Sequence, residues 1–125
     1  MTQSETTNNT VAPTYDPETL KTLEKIVGAE TTRLFIQQFI RSATEHLANL
    51  QQWVATGNAN ELRREAHQFK GESLQLGAMQ LGILCEEMET LAQQDSLEKV
   101  PENLAQQIEA EFAHFKATLK SGGQL

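Results

Sequence analysis

Apolar residues recur every three or four positions along most of the chain, the spacing that places them on one face of an α-helix. The clearest stripe joins Leu104, Ile108, Phe112, Phe115 and Leu119, with mostly polar or small residues between them. The alternating β-branched runs and Asn-Gly turns that are typical of hairpins do not occur in the sequence. The pattern predicts five helical segments, at about 17–27, 30–56, 58–76, 79–92 and 99–120.

Residues with strong positional preferences mark the ends of these segments. Asp16 followed by Pro17 is typical of a helix start, and Gly28, Gly57 and Gly77 are placed where glycine ends a helix. Long amphipathic helices with short connections pack as antiparallel neighbours. We therefore expect an all-α fold, an up-and-down antiparallel four-helix bundle with a short extra N-terminal helix.

The same pattern divides the chain into three parts. Residues 1–15 are rich in Thr, Asn, Ser and Gln and have little to bury, so we expect a disordered N-terminal tail. Residues 16–120 hold the helical stripes and are expected to form one bundle. Residues 121–125 begin Ser-Gly-Gly and are expected to form a flexible C-terminal tail.

Composition narrows the classes of function. The chain has 125 residues and a net charge of −7, which fits one domain and opposes nucleic-acid binding, because phosphate backbones demand clustered Lys and Arg. A single cysteine and a polar N-terminus indicate neither disulfides nor a signal peptide. No apolar run approaches the ~18 residues of a membrane span. We expect a cytoplasmic monomer that contacts no membrane.

One short segment departs from the acidic character of the chain. Between Ser42 and Glu98 the only basic residues are Arg63, Arg64 and Lys70, and all three lie within four positions of His67. On a helix these residues share the face of His67.

The segment has two interpretations. Cations beside His67 disfavour the imidazolium and stabilise an incoming phosphoryl group, and Gly71, one turn away, gives clearance for another protein. Alternatively, His67 is a solvated surface residue, Arg63 and Arg64 pair with neighbouring glutamates, and Gly71 marks close packing or a bend.

The run AHQFKGESLQLGA, followed by LGILCEEME, resembles the histidine-containing phosphotransfer (Hpt) domain of phosphorelays. That family has a pattern close to A-H-x-L-K-G-small-S-x-x-x-G-A, followed by L-x-x-x-C-x-x-L-E on the next helix. The resemblance covers about residues 16–120. The matching positions are Ala66, His67, Lys70, Gly71, Ser73, Gly77, Ala78, Leu81, Cys85 and Glu89.

The resemblance implies that His67 accepts a phosphoryl group from an aspartyl phosphate on a response-regulator receiver domain and passes it to another receiver. Lys70 then stabilises charge and Gly71 provides clearance. Receiver domains are the implied partners, and a hybrid sensor kinase is a further candidate. Leu74, two turns beyond His67, is either an exposed contact for the receiver or partly buried against the bundle.

The docking roles of Arg63 and Arg64 depend on spacing alone, because the family pattern does not assign them. Three residues depart from that pattern. Phe69 and Met88 replace leucines, which are conservative exchanges in the core, and Glu72 stands where a small residue is more common. Glu72 lies about 140° around the helix from His67, so we expect no direct contact with the phosphoryl group. The sequence leaves open whether Glu72 alters partner choice.

The chain lacks the parts that other phosphotransfer proteins need. It has two aspartates far apart in sequence, so it lacks the acidic cluster with which a receiver holds Mg²⁺, and it has no glycine-rich phosphate loop. We expect no cofactor and no ATP-dependent kinase activity. Any Mg²⁺ would belong to the partner receiver.

Two alternatives complete the analysis. The first is a non-catalytic adaptor that binds signalling partners without phosphotransfer. The second is a di-metal bundle, for which Glu111 and His114 supply one Glu-x-x-His pair where two are needed. We expect Cys85 to be a buried, inert core residue, and Glu86, Glu87 and Glu89 to be solvated.

Overall fold

A computed structural model describes residues 14–94 and 102–125. Within these ranges the chain is all-helical, with five helices and no strand. They are α1 (Pro17–Val27), α2 (Ala29–Thr56), α3 (Ala59–Gln75), α4 (Met79–Gln93) and α5 (Glu102–Ser121). The predicted helical class is confirmed. The expected start of the last helix near residue 99 lies outside the described residues.

The residues expected to limit the helices do so. The Asp16 carboxylate accepts a hydrogen bond from a backbone N–H in the first turn of α1, and Asn58 does the same for α3. Gly57, with φ of 72°, ends α2 in the left-handed conformation. Gly77, with φ of 81°, follows α3 and lies so close to the Asp16 backbone that a Cβ would be 2.8 Å from its carbonyl oxygen.

The core lies between four of the helices. Helix α2 contacts α3, α3 contacts α4, α4 contacts α5, and α5 contacts α2, while α1 packs against α2. Four of the five residues of the α5 stripe named above are less than 2% exposed, and Phe112 is 3% exposed. The largest fully buried side chains are Phe69, Phe115, Leu20, Ile36, Leu50, Leu62, Leu81, Met88, Leu104, Ile108 and Leu119.

The α2 stripe is narrower than its sequence suggests. Leu34 and Phe35 fall within the apolar run but are exposed, whereas His46 is buried. A helix turns through about 100° per residue, so Leu34 lies on the outer side, away from the core-facing Ile36 and Phe39. Phe35 lies one turn before Phe39 on the same side of the helix but stays partly exposed, because it borders a cleft rather than the core. None of the helices in the described ranges is long and apolar enough to cross a membrane.

Both described termini of the chain contact the bundle. The Tyr15 ring packs edge-on against Phe115 with centroids 6.0 Å apart, and Thr14 Oγ1 lies 3.3 Å from His114 Nδ1. The Gln124 side-chain amide and the Tyr15 hydroxyl are hydrogen-bonded at 3.1 Å. Residues 14, 15 and 124, which the sequence analysis placed in the two tails, therefore contact one another or the last helix.

Candidate phosphoacceptor site on helix α3

The site begins with the way α3 is held in the bundle. Leu62, Ala66 and Phe69 are fully buried, and they fix the rotation of the helix about its axis. His67 therefore points outward, with 66% of its side chain exposed. The helix is anchored on one side and presents this imidazole to solvent on the other.

A carboxylate from the next helix holds the imidazole and the neighbouring cation together. Glu89 Oε2 lies 2.8 Å from His67 Nδ1, and Glu89 Oε1 lies 2.8 Å from Lys70 Nζ. The Glu89 side chain is only 16% exposed. The expectation that Glu89 is solvated is wrong, because its position on α4 faces α3 rather than water.

Glu89 and Lys70 favour each other's charged forms. Burial acts to raise the pKa of the Glu89 carboxyl, but its bonds with Lys70 and His67 outweigh burial and hold that pKa below its ordinary value. The bond to Glu89 in turn raises the pKa of Lys70 above its ordinary value. Glu89 and Lys70 are therefore an ionised pair at neutral pH.

The hydrogen bond to Glu89 also determines which nitrogen of His67 can react. An ionised carboxylate only accepts, so Nδ1 of a neutral His67 carries the proton and donates it to Glu89. The lone pair then lies on Nε2. This arrangement leaves Nε2 as a nucleophile, with the ammonium group of Lys70 on the same side of the helix.

The surface beside His67 is open at Gly71 and apolar at Leu74. A Cβ added to Gly71 would meet nothing within 4 Å, so no packing within the chain requires glycine there. Leu74 is 40% exposed. It packs across Gly82 of α4, where an added Cβ would be 2.5 Å from Leu74 Cδ2. Leu74 is thus both packed against α4 and accessible.

The structure does not join the two arginines to this group of contacts. Arg64 Nη1 lies 3.3 Å from Glu61 Oε2, an exposed pair on the same helix. Arg63 is partly buried. The contacts around His67 that the structure describes are made by Glu89, so docking roles for the arginines stay a prediction.

Glu89 is the functional residue that the sequence analysis left out of the site. Its position matches the last residue of the family pattern on the helix after His67, and that match was the available signal. Its distance of 22 positions from His67 gives no local indication of contact. Only the packing of α4 against α3 brings the two together.

Other chemically capable groups are placed elsewhere. Cys85 is buried, and burial raises the pKa of its thiol to about 12, which makes it unreactive, as expected. His114 is an exposed residue of α5, 4.0 Å from Glu111. Among the described residues, no group of three or more His, Cys, Asp or Glu side chains is arranged to hold a metal.

A second histidine lies on the opposite side of α3. His46 of α2 is 7% exposed in its side chain, and its ring stacks on Phe69 with centroids 5.0 Å apart. Its Nδ1 lies 2.6 Å from Glu65 Oε2, and its Nε2 lies 3.1 Å from Glu72 Oε1. We call His46, Glu65, Glu72 and the α2 residues that bond to them the His46 cluster.

Further donors complete the His46 cluster. Asn49 Nδ2 donates to Glu65 Oε2 at 3.1 Å, and Ser42 Oγ donates to Glu72 Oε1 at 2.8 Å. Burial acts to raise the pKa of Glu65, but hydrogen bonds from His46, Asn49 and Trp53 lower it below its ordinary value. Glu72 thus turns away from His67 and bonds across the α2/α3 interface.

Comparison with known proteins agrees with this arrangement. The model of the Hpt domain family matches residues 34–118, which is more than half of the chain and includes His67, Lys70 and Glu89. A comparison with curated proteins gave no match. Among solved structures, the chain is similar to the crystal structure of histidine-containing phosphotransfer protein B (HptB) from Pseudomonas aeruginosa PAO1, with a TM-score of 0.83 and 32% sequence identity. That similarity covers 90% of this chain and 96% of HptB. The chain belongs to the Hpt domain family.

Proposed function

We propose that this protein carries phosphoryl groups between receiver domains, with His67 as the residue that is phosphorylated. The observation that carries the proposal is the bond from His67 Nδ1 to Glu89, which leaves Nε2 exposed beside Lys70. A fixed tautomer, an accessible lone pair and a nearby cation are what phosphoryl transfer to an imidazole requires.

In the proposed transfer, this site and the receiver supply all the reacting groups. Nε2 of His67 forms a bond to phosphorus as the bond between phosphorus and the receiver's aspartate oxygen breaks, which returns that aspartate to a carboxylate. The proton stays on Nδ1, where Glu89 compensates the positive charge that develops on the ring. Lys70 lies within reach of the phosphoryl oxygens and compensates their negative charge. Transfer to the next receiver is the reverse reaction.

We propose the following partners and cellular setting for the protein. Receiver domains are the partners, with a hybrid sensor kinase as a further candidate, and Mg²⁺ is supplied by the receiver rather than by this chain. Gly71 admits the receiver, while Leu74, Arg63 and Arg64 contact it. We further propose that the protein is monomeric and acts in the cytoplasm without a cofactor.

We also propose that α2, α3, α4 and α5 form an up-and-down antiparallel bundle with α1 as the extra helix. The contacts between consecutive helices and between α2 and α5 support this arrangement. The connections of two residues between α2 and α3, and three between α3 and α4, also support it, because short connections reverse the chain direction.

The test is to mix the purified protein with phosphorylated receiver domains and Mg²⁺, and to map phosphate by mass spectrometry under alkaline conditions. We expect an acid-labile, base-stable phosphate on His67. His114→Gln, which removes another exposed histidine, is the matched control and should be labelled like the wild type.

Label that persists in His67→Gln would contradict the assignment of His67. Stable receiver binding without any label, across receivers known to be active, would favour the adaptor alternative instead.

A further inference from the structure

A cleft of about 670 Å³ opens between α1, α2 and α3. Its walls are largely apolar and are formed by Leu23 of α1, Phe35 and Phe39 of α2, and Leu76 after α3. Phe35 at the rim is 39% exposed, and its neighbour Leu34 is also exposed. The cleft is therefore large enough, and apolar enough, to take the stem of a long side chain.

Polar groups line another part of the cleft. They are Gln38 and Ser42 from α2 and Glu72 and Gln75 from α3, and Glu72 is the charged residue among the lining residues. Ser42 and His46 bond to its Oε1, which fixes the direction of the carboxylate. The Glu72 side chain stays 32% exposed. The cleft thus combines apolar walls with a positioned negative charge and no lysine or arginine in its lining.

The cleft adjoins the face of α3 that carries His67. Gln75 of the cleft follows Gly71 by one turn, so the two residues are neighbours on the helix surface. A specific interface buries roughly 800 Å² on each partner. A domain seated over His67 and Gly71 therefore reaches the exposed Gln75, which is part of the cleft lining.

We propose that the cleft receives a lysine or arginine side chain of the receiver domain that docks on His67, and that Glu72 selects for it. The aliphatic stem packs against the apolar walls, and the cationic end pairs with the Glu72 carboxylate. Receivers with a neutral or acidic residue at that position leave the carboxylate unpaired when they cover it. This inference rests on the proposed function, since it takes the partner to be a receiver.

The test measures the affinity of the full chain for a panel of receiver domains. Glu72→Gln keeps the shape of the side chain and its bond from Ser42 but removes the charge. We expect a loss of about three- to tenfold in affinity at low salt, which shrinks at high salt. Glu87→Gln, which removes an exposed carboxylate of α4 outside the cleft, is the matched control and should bind like the wild type.

A second variant separates recognition from folding. Asn49→Ala removes a hydrogen bond to Glu65 within the His46 cluster and keeps Glu72 and its bonds, so we expect a lower midpoint of urea unfolding with receiver affinity unchanged within twofold. On the receiver, glutamine in place of the paired lysine or arginine should lower affinity in the wild type and have no further effect in Glu72→Gln.

Three outcomes would overturn the inference. Unchanged affinity in Glu72→Gln, with His67 still labelled, overturns it and leaves the proposed function standing. An equal loss of affinity in Glu72→Gln and Asn49→Ala overturns it in favour of a purely structural role for Glu72. Absence of both binding and label across the whole panel overturns the proposed function together with the inference.

Discussion

His46 and His67 lie on opposite sides of helix α3, and each has Nδ1 within hydrogen-bond distance of a glutamate, at 2.6 Å and 2.8 Å. They differ at the other nitrogen. Nε2 of His46 contacts Glu72 and is buried, whereas His67 leaves two thirds of its side chain in solvent. The same carboxylate pairing therefore gives a structural contact at one histidine and a reactive group at the other, because only one of them keeps a free nitrogen.

The largest expected effects come from replacing each histidine by glutamine, which tests the structural role of His46 and the reactive role of His67 separately. His67→Gln should remove all phosphate incorporation and change the free energy of unfolding by less than about 0.5 kcal/mol, because the side chain is exposed. His46→Gln should keep incorporation and lower the free energy of unfolding by about 2 kcal/mol, because the partly buried carboxylates of Glu65 and Glu72 lose their shared partner. Alkaline mass spectrometry and urea unfolding measure the two quantities.

Two results would contradict these separate roles for His46 and His67. Loss of phosphate incorporation in a folded His46→Gln protein would mean that the buried histidine takes part in the chemistry. A large loss of stability in His67→Gln would mean that the exposed histidine supports the fold.

Two glycines test the difference between an open position, Gly71, and a packed position, Gly82. Gly71→Leu should weaken receiver binding about tenfold by filling the approach to His67, while it stabilises α3 by up to about 1 kcal/mol, because glycine is a poor helix former and the position is open. Gly82→Ala is the counterpart at a packed position. Its Cβ must displace the Leu74 side chain, so we expect a smaller gain in stability than at Gly71. Receiver titration and urea unfolding check both variants.

Unchanged receiver affinity in Gly71→Leu would contradict the clearance role. A destabilised Gly71→Leu protein would show that the surface beside His67 is not open.

The smallest expected effect is a difference between Glu65 and Glu89 in how much each contributes to the loss of stability at acid pH. The lowered pKa values of Glu65 and Glu89 mean that each contributes stability above the ordinary carboxyl value of 4.5, and that this contribution is lost as pH falls through the lowered value. Unfolding should therefore become easier as the pH falls below about 4.5. Glu65→Gln should reduce the pH dependence of the free energy of unfolding more than Glu89→Gln does, because the partner of Glu65 is buried. We expect the two variants to differ by less than about 1 kcal/mol.

Urea unfolding of the wild type and both variants at pH 7, 5, 4 and 3 measures this difference. A steeper acid dependence in either variant than in the wild type would contradict the sign of the pKa shifts.

Much of the fold could be predicted because its signals are local. The spacing of Leu104, Ile108 and Phe112 and the capping residue Asp16 act within a few turns, so the sequence pattern predicts the helix and its limits. The exposed Leu34 and the buried His46 could not be predicted in this way. Which side of a long helix is covered depends on its neighbours, and here Glu65 and Glu72 of α3 make burial of a histidine favourable.

Some residues of the candidate site could be predicted from local sequence, and others could not. His67, Lys70 and Gly71 lie within five positions of one another, and helical geometry alone places them on one face. Glu89 and Glu72 belong to contacts between helices. Their sequence surroundings indicated a solvated residue for Glu89 and a residue away from the phosphoryl group for Glu72, with no sign of the bonds that each one makes.

The sequence by itself determined the helices, their ends, the family pattern and the candidate phosphoacceptor His67, since each of these depends on residues close together in the chain. The tertiary structure alone decided which nitrogen of His67 is free, which glutamate holds it, and how Glu72 is oriented in the cleft. The physical reason is that hydrogen bonds between helices depend on the relative rotation and register of those helices. Rotation and register are fixed by the packed core as a whole.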